Sequence, residues 1–74
     1  MNMLQNLRAL REDQDLSQKE MAEILNIHQT TYSDYELGRL NIPIATLKAL
    51  SEFHKTSVDY ILGLTDVKTP YPRR

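Results

Sequence analysis

The sequence has few of the residues that cross-link or interrupt a chain: it contains no cysteine, two glycines and three prolines. Without cysteine there is no disulfide framework, no thiolate zinc site and no thiol nucleophile. The two histidines, His28 and His54, lie far apart and have no carboxylate at ligand spacing. We therefore expect neither a metal site nor a cofactor.

Long apolar runs are also absent, because the longest uncharged apolar stretch is only a few residues, well short of a membrane span. The first residues, MNMLQNLRALRE, lack the basic-then-apolar order of a signal peptide. These absences fit a protein of the reducing cytoplasm. The serines, histidines and aspartates form no series of nucleophile, base and orienting residue, so we do not expect an enzyme.

Apolar residues recur at spacings of three and four, which is typical of helices, and strand-like alternation is nearly absent. The pattern predicts an all-α domain of five short helices over residues 1–64 and a loose tail over residues 65–74. The helices are expected over residues 2–13, 17–25 and 28–36, then from residues 41–43 onward, and over 57–62. The fourth helix is expected to bury Leu47, Leu50 and Phe53.

The stretch from Leu16 to Arg39 has the spacing of a helix-turn-helix. Ser17 and Glu20 stand at the spacing of a capping box, which marks a helix start. Asn26 follows the expected helix and tolerates the left-handed conformation of a sharp turn. Such a pair of helices holds its second helix where the N-terminal side chains enter a DNA major groove about 12 Å wide.

This stretch resembles the phage Cro/CI repressor type of helix-turn-helix, also called the XRE family. The resemblance covers residues 4–64 and rests on the joint order of several short features. These are LR near the end of the first helix, LSQ opening the second, E-x-A-E-x-L along it, a small polar cluster opening the third, then Y-E-x-G and SVDYILG. The resemblance implies a lambda-repressor-like fold and a transcriptional regulator, a repressor, that binds double-stranded DNA sequence-specifically.

The third helix is expected to turn Thr31, Tyr32 and Tyr35 toward the core. The side chains expected to point outward are Gln29, Thr30, Ser33 and Asp34. By the resemblance, Gln29 and Thr30 contact bases. Asp34 departs from the family pattern, in which many relatives carry a cation or an amide at this position. An aspartate repels phosphates and only accepts hydrogen bonds. We place Asp34 with the base contacts, although an exposed carboxylate that only aids solubility explains it equally well.

Phosphate contacts are expected from Gln18, His28, Ser33 and Arg39. By the resemblance, Gln18 also braces the recognition helix, although a residue in the first turn of a helix needs no such role. The resemblance also pairs Arg11 with Glu36 in a structural ion pair between the first and third helices.

Near the C-terminus, Tyr60, Ile61, Leu64 and Tyr71 are apolar, and a core role accounts for some of them. The resemblance implies that Tyr60, Ile61 and Leu64 belong to a dimer interface. Dimerisation also has a physical motive, since one recognition helix reads only a few base pairs. A two-fold dimer matches an inverted-repeat site in the DNA. We therefore expect a homodimer, which is weak without DNA if only one short helix forms the interface.

The charge of the proposed interface opposes this interpretation, because residues 17–39 carry two cations against four carboxylates, a net charge of −2. Proteins that bind nucleic acid usually carry a basic excess. An alternative function is therefore a protein-interaction module of the same fold, such as an antitoxin or a partner of a larger repressor.

Overall fold

Five helices follow one another in the computed structural model, which describes residues 3–69. They are α1 (Gln5–Asp13), α2 (Gln18–Leu25), α3 (Gln29–Glu36), α4 (Ile44–His54) and α5 (Val58–Ile61). No strand occurs within residues 3–69. The prediction of an all-α fold with five short helices is confirmed.

The helix boundaries lie within a few residues of the predicted ones. Ser17, His28 and Ser57 are N-cap residues, and the helices begin one residue later. The first helix begins at Gln5 because Leu4 has a non-helical backbone, and its N–H donates to the Glu36 carbonyl at 2.8 Å. This bond fixes the start of α1 against the end of α3.

One core joins all five helices, and within residues 3–69 it consists of eight buried apolar side chains. They are Leu7, Leu10, Met21, Ala22, Tyr32, Tyr35, Leu50 and Ile61. Each helix contributes a narrow apolar face to this core, which is the expected arrangement when short amphipathic helices pack together. The consequence for the site is that α3 is held by its two tyrosines while its other face stays free.

The fourth helix buries His54 in place of the predicted Phe53. The Phe53 side chain is 36% exposed, whereas His54 is only 6% exposed. His54 lies four residues after the fully buried Leu50, so the inward face continues at that spacing. Its burial is accompanied by a 3.2 Å contact between its Nδ1 and the Gln14 amide nitrogen. Because that nitrogen only donates, Nδ1 accepts.

The segment after α5 is tied back to the start of that helix. The Lys68 carbonyl accepts hydrogen bonds from the Thr56 hydroxyl at 2.7 Å and from the Ser57 N–H at 3.1 Å. The Ser57 hydroxyl donates to the Val67 carbonyl at 3.2 Å. The prediction of a domain end at residue 64 and a loose tail from residue 65 is therefore wrong for residues 67–68. The rest of the predicted tail, residues 70–74, lies outside the described residues.

Candidate nucleic-acid interface

The connection between α2 and α3 is a sharp turn formed by residues 26–28. Asn26 adopts the left-handed conformation, with φ 57° and ψ 46°. The next N–H, from Ile27, donates to the Ala22 carbonyl at 2.9 Å, which satisfies a group at the end of α2. Asparagine tolerates this conformation better than most residues, so the predicted role of Asn26 is confirmed.

The first turn of α2 is fixed by the predicted capping box. The Glu20 N–H donates to the Ser17 hydroxyl at 3.0 Å, and the Ser17 N–H donates to the Glu20 carboxylate at 2.9 Å. The second of these bonds lowers the pKa of Glu20, because it favours the charged carboxylate. Both groups at the start of α2 are therefore satisfied within the chain.

Helix α3 has one buried face and one open face. Tyr32 and Tyr35 lie in the core, as predicted, whereas Thr31 is only half-buried. Gln29 and Thr30, in the first turn of α3, are exposed. The N-terminal turn of α3 thus presents an amide and a hydroxyl to the surroundings, while the next turn anchors the helix.

The third predicted base contact, Asp34, is half-buried rather than fully open. One of its carboxylate oxygens lies 4.0 Å from an Arg39 guanidinium nitrogen. Its carbonyl also accepts a hydrogen bond from the Arg39 N–H at 2.8 Å. The cation of Arg39 therefore lies beside the carboxylate that would repel a phosphate.

The four predicted phosphate contacts surround this face but differ in exposure. His28 and Arg39 are exposed, and Gln18 and Ser33 are half-buried. The Gln18 amide donates to the Glu36 carboxylate at 3.1 Å. One of its two N–H groups is therefore used inside the chain, and the other is available to an outside acceptor.

The structure places the Arg11 guanidinium on the Glu36 carboxylate in a two-pronged ion pair. The Arg11 Nε–Glu36 Oε2 distance is 2.7 Å and the Nη2–Oε1 distance is 3.2 Å. The remaining Arg11 nitrogen, Nη1, donates to the Leu16 carbonyl at 2.7 Å. One guanidinium thus links α1, the residue before the α2 cap, and the end of α3.

The Glu36 carboxylate is charged in this environment. Burial raises the pKa of Glu36, but hydrogen bonds that include those from Arg11 and Gln18 outweigh it, so the pKa lies below its ordinary value. The hydrogen bond to Glu36 correspondingly raises the pKa of Arg11. The two charges therefore stabilise each other, and the open face of α3 gains no free charge from either.

The three predicted dimer residues differ in what they offer to a second subunit. Ile61 is fully buried in the core of its own chain, so its prediction as an interface residue is wrong. A helix of four residues has only one inward stripe, and Ile61 occupies it. Tyr60 is half-buried, and Leu64 is 73% exposed. Tyr71 lies outside the described residues.

Residues 3–69 contain neither a membrane-spanning helix nor a cluster of metal-ligating side chains. No helix in that range has the length and hydropathy to cross a bilayer. No group of three or more histidine, cysteine or acidic side chains in the same range is arranged to hold a metal ion.

The contact between Gln18 and Glu36 shows how Gln18 braces α3, a role that the resemblance implies without naming the partner, and it places Gln18 in the same network as Arg11. Sequence spacing gives no direct signal for it, because the two residues lie on different helices. The chemistry of a buried carboxylate is an indirect signal. Its two oxygens accept more hydrogen bonds than one arginine donates, so a further donor is needed nearby.

A family model and several named proteins are similar to this chain in sequence. The helix-turn-helix family model (HTH_3) matches residues 7–61. The uncharacterized HTH-type transcriptional regulator YobD of Bacillus subtilis is 39% identical over 70 residues, which are 95% of this chain and 62% of YobD. The HTH-type transcriptional regulator ImmR of the same organism is 36% identical over 67 residues, which are 90% of this chain and 53% of ImmR.

The control protein C.SmaI of Serratia marcescens is 33% identical over 66 residues, which are 89% of this chain and 79% of that protein. The chain thus spans roughly half to three fifths of the length of the two Bacillus relatives and more of the Serratia one. The matched residues include all of α2 and α3 with the turn between them. The chain therefore belongs to the helix-turn-helix family, a family of DNA-binding domains.

Proposed function

We propose that this chain binds double-stranded DNA sequence-specifically and acts as a transcriptional repressor. The observation that carries the proposal is the arrangement of α3, whose two tyrosines are buried while the side chains of its first turn are exposed. A helix held in this way inserts its N-terminal side chains into a major groove. The names of YobD and ImmR, which are HTH-type transcriptional regulators, support the same function.

In this proposal, the bases are contacted by Gln29, Thr30 and Asp34. A glutamine amide pairs with adenine through N6 and N7, and a threonine contacts a base edge or the thymine methyl group. An aspartate accepts from cytosine N4. The Arg39 cation beside Asp34 offsets the repulsion between that carboxylate and the nearest phosphate.

In this proposal, the DNA phosphates are contacted by Gln18, His28, Ser33 and Arg39. Such contacts fix the position of the protein on the duplex and carry no sequence information. Gln18 is well placed for this role, because Glu36 orients its amide and leaves one N–H free. Arg39 contributes the cation at the other end of α3, where its side chain is 71% exposed.

We further propose a homodimer that binds an inverted repeat. Leu64 supplies exposed apolar surface beside α5, and Tyr60 supplies part of its ring, whereas Ile61 takes no part. A two-fold dimer sets the recognition helices about 34–36 Å apart, one turn of DNA. The small size of this surface favours a dimer that DNA assembles rather than one that is stable alone.

A second function, binding to another protein such as a toxin or a larger repressor, is favoured by one observation. The segment 17–39 has a net charge of −2. Arg11, which lies outside this segment, neutralises only one of its four carboxylates, that of Glu36. Fewer cations at the interface mean weaker attraction to phosphates.

Selection of binding sites from random duplexes, followed by gel shifts at two salt concentrations, distinguishes the two functions. DNA binding predicts recovery of an inverted repeat and an affinity that falls as salt rises. Sedimentation should then show two chains per duplex, with strong dependence on half-site spacing. Failure to enrich any sequence, with no salt-dependent shift on any duplex, would contradict DNA binding and favour the protein partner.

A further inference from the structure

A cleft of about 330 Å³ opens beside the Arg11–Glu36 ion pair, at the junction of α1, α2 and α3. The polar side chains that line it are Arg8, Arg11, Gln18, Ser33 and Glu36. Two of the predicted phosphate contacts, Gln18 and Ser33, therefore share this cleft with two arginines. Arg8 stands outside the stretch from Leu16 to Arg39 that has the helix-turn-helix spacing, and the proposed function gives it no role.

The two arginines of the cleft differ in how firmly they are held. All three nitrogens of the Arg11 guanidinium donate hydrogen bonds within the chain, and Glu36 balances its charge. Arg8, by contrast, makes a 3.4 Å contact with Glu12, and both side chains are about half exposed, at 52% and 53%. An exposed pair at this spacing is weak, so Arg8 leaves Glu12 readily when a stronger anion arrives.

We infer that this cleft binds one phosphate of the DNA backbone and that Arg8 supplies its cation. The inference rests on the proposed function. Gln18 donates its free N–H and Ser33 its hydroxyl, and both are neutral, so a phosphate bound by them alone would lack a counter-charge. The Glu36 carboxylate adds negative charge to the cleft, but Arg11 neutralises it.

This assignment also bears on the charge of the interface. Residues 17–39 hold only two cations, and one of them, Arg39, lies beside Asp34. Arg8 adds a cation from α1, a helix that the recognition motif does not include. A fork-shaped guanidinium also suits phosphate oxygens better than an ammonium group does.

The test compares Arg8→Gln with Lys48→Gln on a duplex that the wild-type chain binds. Lys48 is an exposed cation of α4 that does not line the cleft, so it controls for net charge. Loss of one phosphate contact makes the plot of log affinity against log salt concentration shallower by about 0.9. Relative to 1 M salt, this corresponds to a loss of affinity of roughly eightfold at 0.1 M salt. We expect this change for Arg8→Gln and a much smaller one for Lys48→Gln.

Two further variants separate a phosphate contact from a structural role. Glu12→Gln removes the negative charge beside Arg8 and weakens the Arg8–Glu12 contact while it keeps the Arg8 cation, so it should preserve or increase DNA affinity. In addition, duplexes that each carry one neutral methylphosphonate per half-site should bind the wild-type chain more weakly at every phosphate that the chain contacts. One of these is the phosphate in the cleft, and Arg8→Gln should be clearly less sensitive than wild type to the replacement at that position while it keeps the wild-type sensitivity elsewhere.

The outcomes are distinguishable. If the wild-type chain binds no duplex in a salt-dependent way, the proposed function and this inference both fail. If the wild-type chain binds but Arg8→Gln keeps the full salt slope, the function stands and the inference is overturned. Equal loss of affinity in Arg8→Gln and Glu12→Gln would also overturn it. Melting temperatures of the variants confirm that each one folds.

Discussion

Loss of either partner of the Arg11–Glu36 ion pair should destabilise the fold strongly. The Glu36 side chain is 3% exposed and the Arg11 side chain 11% exposed, so removal of one leaves the other charged in a nearly dry position. The expected cost is about 3–5 kcal/mol. Because the whole stability of a domain is about 5–15 kcal/mol, either single variant should unfold at a much lower urea concentration.

A double-mutant cycle isolates the contribution of the pair. The free energy of unfolding is measured by urea denaturation for wild type, Arg11→Ala, Glu36→Ala and the double variant. The double variant should lose much less than the sum of the two single losses, since no buried charge is left unpaired. The exposed contact between Arg8 and Glu12 is the matched control, with an expected coupling of about 0.3–0.5 kcal/mol at most.

Additive losses at Arg11 and Glu36, within about 0.5 kcal/mol, would refute this reasoning. The pH dependence gives a second check. Because folding lowers the pKa of Glu36, its contribution is present above the ordinary glutamate pKa and is lost as the pH falls through the lowered value. The double variant should therefore lose less stability on acidification than wild type.

Three other perturbations test the local structure. Burial, with a smaller effect from Lys68, lowers the pKa of His54, so stability should fall as the pH drops below the ordinary histidine value of about 6.5. His54→Gln should flatten that part of the stability–pH curve. Ser17→Ala should cost about 1 kcal/mol of unfolding free energy and Ser17→Gly only a few tenths, and equal costs would argue against the cap. Thr56→Val removes the hydroxyl that donates to the Lys68 carbonyl, so amide hydrogen exchange should quicken around residues 67–68 and stay unchanged in α2.

The features that the sequence predicts well are local ones. The capping box at Ser17 and the turn at Asn26 each depend on residues within one helical turn of each other, so residue type and spacing suffice to identify them. The burial of Tyr32 and Tyr35 also follows from spacing along a single helix. These features fix α2, α3 and the turn between them, and hence most of the candidate site.

The predictions that were wrong concern features that depend on contacts between residues far apart in the sequence. Spacing alone favours Phe53 for the core, but His54, four residues after Leu50, takes the buried position. The Gln14 side chain donates a hydrogen bond to the His54 ring. Ile61 looked available to a partner because apolar residues cluster around it. Its burial depends on how α5 packs against the other helices. The tie between Thr56 and Lys68 uses a backbone carbonyl, which has no sequence signature.

If the first turn of α3 reads base sequence, Gln29→Ala should lower the specificity ratio, which is the affinity for a preferred duplex divided by the affinity for an unrelated one. Equilibrium affinities are measured at one salt concentration for a selected duplex and for a scrambled duplex of the same composition. For wild type, we expect the selected duplex to bind at least about 1,000-fold more tightly. In Gln29→Ala, the difference in binding free energy between the two duplexes should shrink by about 1–3 kcal/mol. The affinity of this variant for the scrambled duplex should stay nearly unchanged. A wild-type ratio close to one, or an equal loss on both duplexes in Gln29→Ala, would contradict the account.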